Sequence, residues 1–295
     1  MDIRELRYFL AVADEQNITK AAERLYISQP SLSKQMSNLE DEIGAPLFIR
    51  GGRKITLTES GILLKKRAEE LMDLYDKTRC ELMSHEKEIS GTVYIGGGES
   101  RAMSVTAAAA KKVMTDYPRI KFDFFSGDAQ SVTEKLEKGL LDFAVLVDGD
   151  TSPYESLRLP YGDTWGLLVR KDSPVGAKNS VSVREARKLP LIVSRQGASQ
   201  GGILRRLFGG DTDALNIKAV YNLVYNASLL VNEGIGCAVG IDGIINTSGN
   251  GSLKFVPFEP AVKTYLDVVW KKRQVFGKAA VVFLKYLKAE INEIK

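Results

Sequence analysis

The chain has 295 residues, 44% hydrophobic and 26% charged, with a net charge of +4. Those values are ordinary for a globular protein, and the length predicts two or more domains. No apolar stretch reaches the roughly 20 residues that span a bilayer. Two cysteines, Cys80 and Cys237, exclude a disulfide framework, and the single histidine, His85, sits in the charged run SHEKE, which leaves little from which to build a zinc site or a His-activated nucleophile. The N-terminus, MDIRELRYFLAVADEQ, carries acids and no small-residue cleavage site, so it does not read as a signal peptide and a cytoplasmic location is expected.

Charge is unevenly spread. Residues 1–58 hold eight basic and eight acidic side chains, residues 59–90 six and eight, and residues 91–295 a surplus of +6. A nucleic-acid reader in the first segment must therefore work by placing its charges.

Ile3, Leu6, Phe9, Leu10 and Ala13 recur at helical spacing. Asn17 is a good N-cap for ITKAAERL, whose Ala21, Ala22 and Leu25 let a second helix cross closely. After a short turn at Tyr26 and Ile27, Ser28 reads as the next N-cap. Pro30 then falls in the first turn, where a missing N–H costs nothing and its fixed φ suits the helix. Leu32, Met36, Leu39 and Ile43 predict a buried stripe, and Gly44 ends the helix. Two short helices joined this way form a helix-turn-helix pattern. The second helix presents Gln29, Ser31, Ser33, Lys34 and Gln35, types that suit base edges, and its N-terminus favours a phosphate. The following PLFIRGGRKITL predicts a small hairpin wing with Arg50, Arg53 and Lys54 at its tip.

The phrases AAERL, SQPSLS, LE-EIG-PLF-R and TE-G, all in register over about 60 residues, resemble the winged helix-turn-helix of LysR-type transcriptional regulators. The resemblance implies that Gln29, Pro30, Ser33 and Lys34 lie against the major groove and Arg53 near the minor groove. Asn17, Thr19, Ser28, Ser31, Gln35, Arg50 and Lys54 complete the expected DNA-contacting set. Gln35 and Met36 depart from the more usual basic choices of that family.

From Thr58, a plausible N-cap, Leu64, Ala68, Leu71, Tyr75, Thr78 and Leu82 alternate at four and three, a heptad seam along a rod of about 30 residues and roughly 45 Å. A second copy is the simplest partner for such a seam, and in the resembled family this segment is the dimerising linker helix. Beyond Gly91, short apolar strands alternate with amphipathic helices, which predicts a mainly parallel, doubly wound sheet. Chain crossings between two lobes are expected near Tyr161–Thr164 and Pro260–Thr264. KGLLDFAVL and LLVNEGIGCAVG resemble the effector domain of the same regulators, itself similar to type 2 periplasmic binding proteins. The expected architecture is multi-domain α/β: a winged helix-turn-helix over 1–58, a linker helix over 59–89 and an effector domain over 90–295, with lobe I at 90–161 and 265–295 and lobe II at 162–264.

In open α/β sheets ligands sit at the carboxyl ends of strands, against helix starts. Three loops fit: GGGESR with Glu99, Ser100 and Arg101; SRQGASQGG with Ser194, Arg195, Gln196, Ser199 and Gln200; and YNAS with Asn226 and Ser228. Hydroxyls, arginines and helix dipoles there predict a small anionic effector. No glycine pattern matches a dinucleotide or phosphate loop, and no carboxylate pair stands out for acid–base work. Neither an enzyme, a metal site nor a cofactor is expected. A solute-binding protein would not need the helix-turn-helix, and a redox sensor would rest on Cys237 alone. The resemblance implies a regulator that binds double-stranded DNA at an imperfect inverted repeat and a small-molecule effector, forms a homodimer or homotetramer, and has RNA polymerase as a further partner.

Overall fold

The computed structural model describes residues 1–49, 51, 54–83, 89–198, 202–210 and 212–294, the side chains of Cys80 and Met83 excepted. The chain divides into two compact units, Met1–Met83 and Ser84–Lys295.

In the first unit, α1 (Ile3–Glu15) starts with a capping box: the Asp2 carboxylate accepts from the Glu5 amide and the Glu5 carboxylate from the Asp2 amide. Helix α2 (Ile18–Arg24) is capped by Asn17, whose Oδ1 accepts from Lys20 N at 3.1 Å. Helix α3 (Gln29–Ile43) is capped by Ser28, holds Pro30 in its first turn and stops at Gly44, which takes the left-handed φ of 75° that a side chain would resist. Leu6, Phe9, Val12, Ala21, Ala22, Leu32, Met36 and Leu39 form one core, where truncating a single Leu costs about 2–5 kcal/mol. Ile43 departs from the expected stripe: it is 39% exposed, because it sits on the last turn, just where the chain leaves the helix at Gly44.

Strands β1 (Phe48–Ile49) and β2 (Thr56–Leu57) pair antiparallel as the wing. Two side chains fix the wing to its helices. Glu40 Oε1 accepts from Leu47 N (2.7 Å) and Phe48 N (3.1 Å). The Thr58 hydroxyl donates to Pro46 O (2.7 Å) and accepts from Gly61 N (3.0 Å), capping α4 (Glu59–Met83). Gly61 lets α4 press on the wing, since a Cβ there would lie 2.2 Å from the Leu47 carbonyl oxygen. Helix α4 does not keep its whole heptad seam free. Ala68 and Met72 are buried, and Leu64 half-buried, in the core of the unit, because the helix leans on α1 with Lys65 paired to Asp14 at 2.8 Å. The apolar groups it leaves exposed include Ile62, Leu63, Leu71, Leu74, Tyr75 and Leu82.

The second unit alternates strand and helix: β3 (Gly91–Gly97), α5 (Met103–Asp116), β4 (Ile120–Ser126), α6 (Ala129–Glu137), β5 (Phe143–Val147), β6 (Tyr154–Arg170), α7 (Val183–Ala186), β7 (Leu191–Ser194), α8 (Arg195–Ala198), α9 (Ile203–Phe208), β8 (Ile217–Tyr221), α10 (Val224–Asn232), β9 (Cys237–Ile241), β10 (Leu253–Pro257), β11 (Lys263–Lys271) and α11 (Lys278–Ile294). The strand order is β4-β3-β5-β11-β6-β9-β7-β8, with β10 also on β6. In the first lobe, α5 and α11 cover one sheet face around Val93, Ile95, Phe143 and Phe283, and α6 covers the other around Val132, Leu136 and Leu146. In the second, α9 packs with Leu167, Val193 and Val239 on one face, and α10 with Leu168, Ile192 and Ala238 on the other.

The sheet is not mainly parallel. Parallel pairing is confined to the flanks, β4-β3-β5 and β8-β7-β9. The centre is antiparallel, because β6 and β11 carry the chain between lobes in opposite directions. They run side by side where both cross, with Lys263–Tyr265 opposite Gly162–Thr164.

Candidate functional site

In the first unit the exposed end of α3 carries Gln29, Pro30, Ser31 and Lys34, with Ser33 and Gln35 half-buried beside them. Its first turn holds no acid, so the partial positive charge of the helix start is not neutralised there. The Ser28 hydroxyl accepts from Ser31 N at 3.4 Å; Ser28, like Asn17, therefore has a capping task, and Thr19 is exposed in the first turn of α2. Tyr26, 96% exposed, sits in the turn before α3 at a left-handed φ of 56°, a backbone state uncommon for a bulky residue. Lys54 is exposed on the wing, while Arg50 and Arg53 lie outside the described residues.

In the second unit a cavity of about 200 Å³ opens between the lobes. It gathers residues at or just past the carboxyl ends of the six flanking strands: Gly98 after β3, Gly127 after β4, Val147 on β5, Ser194 on β7, Tyr221 on β8 and Ile241 on β9. Two parallel flanks aimed at one gap produce this convergence, the usual place for a ligand in such a sheet.

Of the residues singled out from sequence, Glu99, Ser194, Arg195 and Gln196 line the cavity. Glu99 Oε2 accepts from Val224 N across the gap at 3.0 Å, so a carboxylate of the first lobe caps α10 of the second. Ser194 accepts from Gly197 N at 3.0 Å and starts α8. Ser100 and Arg101 lie outside this cavity. The Ser100 hydroxyl donates to Asp163 Oδ2 at 2.6 Å, and Arg101 faces Asp242 at 3.7 Å. Asn226 is exposed on α10, while Ser228 is buried and donates to Tyr225 O at 2.6 Å; neither lines the cavity. Ser199 and Gln200, like His85, lie outside the described residues.

Sequence reasoning passed over Asp128, Asp148, Trp165, Arg206, Tyr221 and Asn222, which also line the cavity. Most of them sit at or just past the end of a strand, so the strand-end rule applied to every strand would have found them. Asp148 accepts from Arg206 Nη2 at 2.9 Å, a second tie between the lobes, and from Tyr265 N at 3.0 Å. The backbone and side chain of Ser131 hold Asp128 below the usual carboxylate range, with Arg195 helping. Burial, and then the charge of Glu99, push the Tyr221 phenol up, so it stays a neutral donor to Val239 O at 2.9 Å. Burial also pushes the Cys237 thiol up, the opposite of what a reactive thiolate needs. Among the described residues no group of three or more His, Cys, Asp or Glu could hold a metal ion, and no helix is long and apolar enough to cross a membrane.

Residues 3–62 match the model for the bacterial regulatory helix-turn-helix protein, lysR family, and residues 86–292 match the LysR substrate binding domain. The chain is 32% identical over 233 residues to the HTH-type transcriptional regulator BsdA of Bacillus subtilis, covering 77% of this chain and 72% of that protein. It is 28% identical over 209 residues to the HTH-type transcriptional activator IlvY of Salmonella typhimurium, covering 70% of each. Among solved structures, full-length CbnR complexed with its target DNA superposes with a TM-score of 0.77 at 18% identity, covering 98% of this chain and 100% of that one; the likeness is one of fold.

Proposed function

Because the chain belongs to the LysR family of transcriptional regulators, we propose that it reads DNA through the N-terminal end of α3 and is controlled by a small molecule held between the lobes of its second unit. It is a DNA-binding regulator and not an enzyme. One observation carries the reading of α3: the Ser28–Pro30 start leaves Gln29, Ser31 and Lys34 exposed on a helix end without an acid in its first turn. These are groups that pair with base edges and phosphates. Gln29, Pro30, Ser33 and Lys34 form the major-groove set, with Lys54 and the wing arginines at the backbone or minor groove. The exposed stripe of α4 supports a homodimer, and two copies would read an imperfect inverted repeat. A homotetramer would join two such dimers, and the site of action is the cytoplasm, where the chromosome lies.

Control follows from population shift. A ligand that favours one lobe arrangement over the other biases how paired DNA-binding units sit on their sites. The test is fluorescence anisotropy on a selected site and on random duplex. Ser33→Ala or Lys34→Ala should lose about 1–3 kcal/mol on the selected site only, while Arg53→Ala should weaken both evenly. Equal losses on both duplexes for all three variants would remove the groove assignment.

A further inference from the structure

The cavity between the lobes holds three acids, Glu99, Asp128 and Asp148, against two bases, Arg195 and Arg206. One of the two bases is already ion-paired with an acid. Arg206 pairs with Asp148 at 2.9 Å, and Arg195 adds a smaller pull on Asp128, after the hydrogen bonds from Ser131. Among the described residues no basic side chain pairs with Glu99. Among the described residues its hydrogen-bond partner is the first amide of α10, a helix end worth roughly half a unit of positive charge. The surplus in the cavity is therefore negative and sits at Glu99.

Glu99 also fills the position where an anionic ligand would be held. Helix α10 has no cap from its own segment, and the Val224 amide is given to Glu99 instead. An incoming carboxylate would have to displace a carboxylate and join a site that already has excess negative charge. An incoming ammonium meets a charged acceptor, and such hydrogen bonds are about twice as strong as neutral ones. The remaining walls, with Val147, Trp165, Ile203, Leu223 and Ile241, are apolar or aromatic. The volume of about 200 Å³ exceeds the roughly 150 Å³ that accommodates benzene.

We propose that the cleft takes a small molecule bearing a protonated amine, its ammonium seated against the Glu99 carboxylate at the first turn of α10. This rests on the cleft being the effector site, and it puts a cation in place of the anion expected from sequence, because the lining holds one more acid than base and Arg206 is already paired with Asp148.

The chain has two tryptophans, and Trp165 lines the cavity. Trp270→Phe therefore leaves a single reporter there. In that background the full chain is titrated with benzylamine and with benzoate, which share a ring and carry opposite charges. The expected result is a Trp165 response to benzylamine with a dissociation constant at least tenfold below that for benzoate. Glu99→Gln should erase the preference, and Asn226→Ala, on the exposed face of α10, should leave it unchanged. Equal binding, stronger benzoate binding, a preference that survives Glu99→Gln, or no response to either probe overturns the assignment. DNA anisotropy on the same samples separates the two levels. Specific DNA binding without an amine preference overturns the ligand class alone, whereas absence of specific DNA binding overturns the regulator reading.

Discussion

Asp163 is 4% exposed on β6, at the crossing beside the cleft, and takes the Ser100 hydroxyl at 2.6 Å. Burial pushes its carboxyl up and Asp242 adds to that, against the Ser100 hydrogen bond and the charge of Arg101. The folded state thus holds this proton more tightly than the unfolded chain. Its contribution is present in full below the ordinary aspartate range, near pH 4, and is lost as the pH climbs through the raised value. Asp163→Asn should therefore raise the urea midpoint at pH 7, with the gain vanishing below about pH 4; a lower midpoint at pH 7 contradicts this. Other residues were legible by type and not by reason. Ser28 and Pro30 announce a helix start, because capping is local. Glu40 and Gly61 belong to recognisable phrases, yet their tasks, holding the Leu47 and Phe48 amides and yielding to the Leu47 carbonyl, depend on groups brought near only by folding.

At the scale of elements, the helices of the first unit follow from apolar spacing and caps, and α3 begins and ends at the predicted Ser28 and Gly44. The spacing along α4 was legible, but which face turns inward was not, since that depends on how the helix meets α1. The face left exposed holds Leu71 at 44%, Leu74 at 38% and Leu82 at 81%. Burying two leucines contributes about 3–6 kcal/mol. Leu71→Glu with Leu74→Glu should weaken self-association on the order of 100-fold or more, read by sedimentation velocity across a dilution series. A mass and dissociation constant equal to those of the parent would place the dimer contact elsewhere. Two strands escaped the reading for different reasons. The first half of β6, YESLRLP, is largely polar and gains its ladder only from β11. Strand β10 pairs with β6 alone and ends in Pro257, a residue that ordinarily marks the margin of a sheet. Without these strands the antiparallel centre was invisible, and the alternation implied more parallel pairing than exists.

For the whole molecule, charge and function are divided between the two units. The first is neutral over residues 1–58, and the proposed reading has it act through where it sets Gln29, Ser31 and Lys34. The second carries the basic surplus, yet its cleft lining holds three acids against two bases, so bulk charge does not set the charge of the cleft. Among the described residues, the ties between the lobes include Glu99 to the Val224 amide, Asp148 to Arg206, Arg101 to Asp242 and Ser100 to Asp163. They are the contacts that a bound effector would exchange or reinforce. Everything proposed for the first unit depends on α3 reading specific DNA. It is tested most directly by selecting bound fragments from the source organism's chromosome at physiological salt, since affinity depends steeply on ionic strength, with the parent chain and a Gln29→Ala, Lys34→Ala variant in parallel. The parent is expected to enrich sites containing an imperfect inverted repeat, and the variant to lose that enrichment. Enrichment of the same sites by both proteins, or of no sites by the parent with and without cell-extract metabolites, would contradict it.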